Sequence, residues 1–82
     1  MYTRIDRAKA KKLIKQGLHV ALCASNMRPG DPWYPEIEIN RYSVNNYNGI
    51  DFESKFKNLV NHFMYYNCNK ETGNKVSYFL SY

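Results

Sequence analysis

The strongest pattern in the chain is an apolar stripe at helical spacing. Phe52, Phe56, Leu59, Val60 and Phe63 recur at i, i+4, i+7, i+8 and i+11, one core-facing side of a helix. Asp51 stands before the stripe as an N-cap, and the helix is expected to run to about Tyr66 or Cys68, with 69–74 breaking it. A second helix is expected over residues 3–16. At about 100° per residue, Tyr2, Ile5, Ala10, Leu13 and Ile14 share one broad face, and Arg4, Arg7, Lys11 and Lys15 fall opposite. Thr3 with Asp6 fits a capping box, and Gly17 is a natural stop because it takes positive φ without a Cβ clash.

Three segments read as strands. Leu18 to Ser25 alternates with both sides apolar or small, the pattern of a central strand. Glu36 to Tyr42 places Ile37 and Ile39 inward and Glu36, Glu38 and Asn40 outward, and residues 43–50 follow as a polar loop. Lys75 to Tyr82 forms a closing strand. The order is α-β-β-α-β, an α+β domain over 1–82: a three-stranded, mostly antiparallel sheet with two helices on one face. Strand 18–25 sits in the middle, flanked by 36–42 and 75–82.

Eighty-two residues hold one small core, which eight Tyr, four Phe and one Trp must fill. No apolar run approaches the roughly 18 residues of a membrane span, and the basic start lacks the apolar stretch of a secretory signal. The expectation is a cytoplasmic protein. Cys23 and Cys68 are isolated thiols, neither a disulfide framework nor a metal-binding pair. Residues 1–17 carry six Lys or Arg against one Asp, whereas 18–82 carry six against six, so the whole net charge of +5 belongs to the first segment. Such a concentration points to an acidic partner, either phosphate or a carboxylate-rich protein surface.

Catalysis finds little support. The acid–base candidates are His19, His62, Glu36 and Glu38, and His19 meets the two carboxylates only if its strand pairs with theirs. Glycines are dispersed, so no phosphate loop exists, and neither cofactor nor metal is expected. Base-stacking candidates are Trp33, Tyr34, Tyr42 and Tyr47, in or beside loops. The 26–35 segment adds Arg28 to Trp33 and Tyr34, residue types enriched at binding hot spots. The expected partner-binding set is therefore Arg4, Arg7, Lys11, Lys15, Arg28, Trp33 and Tyr34. Reversing the charges of Arg7 and Lys11 is expected to abolish binding and leave the fold intact.

The helix–strand–strand start is similar to that of small mRNA-cleaving toxins of the HicA type, but their Gly-Ser-His-His stretch is missing. In overall style the chain resembles short Asn- and Tyr-rich proteins of bacteriophages and mobile elements, most of all anti-CRISPR and other anti-defence proteins. Asn26-Met27-Arg28-Pro29-Gly30-Asp31-Pro32-Trp33 and Tyr65-Tyr66-Asn67-Cys68-Asn69 are its distinctive stretches. The resemblance implies a non-enzymatic inhibitor in the host bacterial cell. It would bind a defence effector such as a CRISPR nuclease complex, with guide RNA a possible part of the interface. The alternative is a basic nucleic-acid-binding accessory protein.

Overall fold

A computed structural model describes residues 2–24, 36–68 and 75–82. The elements are β1 (Tyr2–Ile5), α1 (Arg7–Lys15), β2 (His19–Ala24), β3 (Glu36–Ile39), α2 (Arg41–Asn45), α3 (Phe52–Asn67) and β4 (Val76–Ser81). The four strands form one antiparallel sheet in the order β1-β4-β2-β3. β1 and β2 therefore run in the same direction with β4 between them, and β3 and β4 do so with β2 between them. The α+β class holds, and the sheet has one strand more than the pattern predicts.

The extra strand takes the start of the expected first helix. Thr3 pairs with Leu80 and Ile5 with Tyr78, and the Thr3 and Tyr82 hydroxyls lie 2.8 Å apart. Thr3 is thus a strand residue rather than a cap. Asp6 alone caps α1, its Oδ1 accepting from the Lys9 amide at 2.7 Å. The other end is as expected: Gly17, at φ +89°, donates to the Ile14 carbonyl while Leu18 donates to that of Leu13. That pair of bonds is a Schellman closure, which uses otherwise orphaned carbonyls.

The second departure lies at Asn40. The strand expected to reach Tyr42 stops at Ile39, because Asn40 and Ser43 cap each other reciprocally and start the short helix α2. The expected 43–50 loop is therefore helical over its first three residues. β4 is interior to the sheet, not at its edge, because β1 covers its outer side. Strand β2 is central and buried on both faces, as its double apolar pattern predicts.

The main core lies between the sheet and the helices. Ala10, Leu13 and Ile14 of α1 and Phe56, Leu59, Val60 and Phe63 of α3 meet Val20, Leu22 and Tyr78 of the sheet. Val44 of α2 and Ile39 close one end. Helix α3 matches its predicted span, capped by Asp51 through the Ser54 amide at 2.8 Å. The opposite sheet face carries a smaller cluster of Ala21, Cys23 and Phe79.

Candidate functional site

The structure divides the expected basic face between two places. Arg4 lies on β1, opposite Phe79, and so shares the sheet face that carries Ala21 and Cys23 rather than the helix surface. Arg7, Lys11 and Lys15 turn toward α3 and line its seam with α1. Lys11 Nζ is 3.0 Å from Glu53 Oε2 and Lys15 Nζ is 3.5 Å from Oε1. Lys15 also stands 4.9 Å from the centroid of Phe52, and the Arg7 guanidinium 5.5 Å from that of Phe56. The Lys11 hydrogen bond, with the two ammonium charges adding to it, holds the Glu53 carboxyl below its ordinary range. Beneath Arg7, burial pushes the Tyr78 phenol up, and the nearby guanidinium pulls it the other way.

The physical reason is the helix geometry. The buried residues Ala10, Leu13 and Ile14 centre the inward face so that Arg7 and Lys11 flank it rather than oppose it. Without residues 3–5 in the helix, the outward face is Ala8, Lys9, Lys12 and part of Lys15. Arg4, Lys9 and Lys12 have no carboxylate partner among the described residues. Arg28, Trp33 and Tyr34 lie outside the described residues.

The sheet does bring His19 to the carboxylates. Antiparallel pairing of β2 with β3 sets Ala21 beside Glu38 and Cys23 beside Glu36, and His19 Nδ1 reaches Glu38 Oε1 at 2.7 Å. Both side chains of that pair are about half exposed. Cys23 Sγ lies 3.9 Å from Glu36 Oε2. Burial, then the Glu36 charge and its hydrogen bond, push the Cys23 thiol up to about 12. At neutral pH that sulfur is a protonated thiol, the unreactive form. Among the described residues no three His, Cys, Asp or Glu side chains gather into a metal-binding group.

A different constellation lies on the other side of α3. The connection from α2 to α3 is clamped onto the helix at three points. Lys55 Nζ donates to the Asn45 carbonyl at 3.2 Å and Asn58 Nδ2 to the Asn48 carbonyl at 2.9 Å. The Tyr47 hydroxyl and His62 Nδ1 share a 2.6 Å hydrogen bond. Gly49 permits the close approach: at φ +156°, a Cβ there would meet the Lys55 amide nitrogen at 2.7 Å. Between the connection and α3 opens a cleft of about 490 Å³, lined by Tyr47, Asn48, Asn58, Asn61, His62, Tyr65 and Tyr66. Its rings form a chain. His62 meets Tyr47 edge-on at 6.0 Å and Tyr66 tilted at 4.8 Å, and Tyr66 meets Tyr65 edge-on at 4.9 Å.

Of the residues with expected roles, Tyr47 and His62 meet in this cleft, although neither stood in the expected binding set. Tyr42 is exposed on α2, beside a separate hollow with Gly17 and Arg41. Tyr65 and Tyr66 carried no expected role beyond belonging to a distinctive stretch. Their signal was available: Asn58, Asn61 and Tyr65 recur at i, i+3 and i+7, giving α3 an outward stripe without charge. No helix among the described residues is long and apolar enough to cross a membrane. No family model matches this chain, and neither a curated protein nor a solved structure matches it significantly.

Proposed function

We propose that this protein is a non-enzymatic inhibitor that acts by occlusion, docking on an acidic or phosphate-bearing surface of a host defence complex of the CRISPR nuclease type. The observation that supports it is the placement of positive charge. Residues 1–17 hold the whole net charge of +5, and Glu53 pairs with only two of their six cations. Lys9 and Lys12, on the outward face of α1, remain to meet a partner, whereas Arg4 lies on the sheet face away from the helices, outside that patch. Like charges three residues apart on a helix repel by a few tenths of a kcal/mol, a cost that an acidic partner reverses.

The structure changes the choice of test. Charge reversal at Arg7 and Lys11 would remove the bond to Glu53 and the contact with Phe56, so it confounds binding with folding. Lys9→Glu with Lys12→Glu touches neither. Expressed in a bacterium with active CRISPR immunity, the wild-type protein should restore plating of a targeted phage, and the double variant should not. Equal restoration by the double variant would remove α1 from the mechanism, and no restoration by the wild type against the nuclease types tested would end the inhibitor reading. The second reading, a nucleic-acid-binding accessory protein, is favoured by one observation: among the described residues no carboxylate lines the tyrosine cleft on α3.

A further inference from the structure

We propose that the cleft between α3 and the α2–α3 connection binds single-stranded nucleic acid by stacking an unpaired base on Tyr65 and Tyr66. This site is separate from the outward face of α1 and does not depend on the inhibitor reading. Tyr65 is 80% exposed and Tyr66 70%, on a helix whose inner face is a well-packed core. Exposed neighbouring rings on a rigid element are what sequence-tolerant single-strand binding requires, because every base has a π-face. The rings are in contact with one another: Tyr65 meets Tyr66, Tyr66 meets His62, and His62 shares a hydrogen bond with Tyr47. A base entering the site therefore meets a continuous chain of rings.

The rest of the lining suits the same ligand. Asn61 presents an amide donor and acceptor to the edge of a base. The cleft volume, about 490 Å³, falls within the roughly 300–1,000 Å³ of ligand sites. Charge selects among occupants. From Ser54 to Asn67 helix α3 contains Lys55 and Lys57 and no Asp or Glu, and no carboxylate reaches the cleft from the connection. Among the described residues that line the cleft, no carboxylate opposes the phosphates that follow the base. A peptide anchored by an apolar side chain fits less well, because three Asn residues line the walls. Duplex nucleic acid is disfavoured as well, since its bases are stacked inside and their faces are unavailable to the tyrosines.

The test is fluorescence anisotropy with labelled dT20 and rU20 against a 20-base-pair duplex, using the full chain. At least one single strand should bind at least tenfold more tightly than the duplex. Tyr65→Ala with Tyr66→Ala should weaken that binding tenfold or more, whereas Tyr65→Phe with Tyr66→Phe, which keeps the rings, should stay within twofold of wild type. Thermal melting of both variants serves as the folding control. Binding to neither single strand, equal binding to the duplex, or undiminished binding by a folded alanine variant would each overturn the proposal. The last two would transfer the interaction to the basic surface.

Discussion

Helix α3 faces two neighbours across very different chemistry. Toward α1 it presents Phe52, Glu53 and Phe56 to Arg7, Lys11 and Lys15, and the cations are drawn into ion pairs and ring contacts. Toward the α2–α3 connection it presents Asn58 and His62, whose hydrogen bonds hold the connection, and Tyr65 and Tyr66, whose rings stay exposed. The sequence draws attention to the first region because charge is conspicuous there. In the structure two of those cations pair with Glu53, and the less conspicuous asparagines and tyrosines line an open cleft. A count of charges thus locates positive residues, but only packing tells which of them still face solvent.

The largest effect expected on the seam comes from its aromatic centre. Phe56 is fully buried, stacks with Phe52 and Tyr78 and lies under Arg7. Phe56→Ala should cost about 3–5 kcal/mol in urea unfolding, enough to unfold a domain of this size or nearly so. A loss below about 1 kcal/mol would mean the seam is not a packed core. On the cleft side, Gly49→Ala forces a Cβ against the Lys55 backbone, and should cost about 1–3 kcal/mol while prising the connection off α3. Loss of the Tyr47–His62 contact by nuclear Overhauser measurements would check the displacement, and an unchanged contact would refute it.

A smaller effect separates the two sides by pH. The Asp51 and Glu53 carboxyls are held below their ordinary values of 3.8 and 4.5, Asp51 chiefly by the Ser54 amide and Glu53 chiefly by Lys11. A depressed folded value means the unfolded chain binds the proton first. Their stabilisation is therefore full above the ordinary values and is lost as pH falls through the depressed ones. Asp51→Asn with Glu53→Gln should flatten the acid limb of stability against pH, since Asn still caps the helix. An equally steep acid limb would assign it to other groups. The smallest effect concerns the thiols. Cys23 is buried with its sulfur raised to about 12, whereas Cys68 is half-buried at the end of α3. Iodoacetamide at pH 8 should label Cys68 first and Cys23 only on unfolding, and the reverse order would contradict the burial of β2.

The parts of the fold legible in the sequence were those with a long, unambiguous period. Helix α3 repeats its apolar stripe over more than three turns, and strand β2 is apolar on both sides, so both could be read without knowing their neighbours. β1 could not, because its four residues gain strand character only from pairing with the far end of the chain. Thr3 and Asp6 meanwhile mimicked a capping box. Once Tyr2 and Ile5 left the helix, its wheel turned, and Arg7 and Lys11 moved from the expected outer face to the seam. The Asn40–Ser43 cap was local and readable, yet the alternation through Glu36, Ile37, Glu38 and Ile39 invited continuing the strand past it. The approach of His19 to Glu38 was legible because it needed only adjacent strands. The cleft was not, because its walls come from α3 and from a connection whose path depends on three side-chain clamps.

The most direct test of this division of labour sets two variants side by side, each measured by urea unfolding and by dT20 and rU20 anisotropy. Phe52→Ala, which removes the ring against Phe56 and Lys15, should unfold at lower urea yet bind the oligonucleotides as the wild type does while folded. Tyr65→Ala with Tyr66→Ala should do the opposite, with stability within about 0.5 kcal/mol of wild type and binding weakened tenfold or more. Binding lost from the folded seam variant, or retained by the folded cleft variant, would contradict the account.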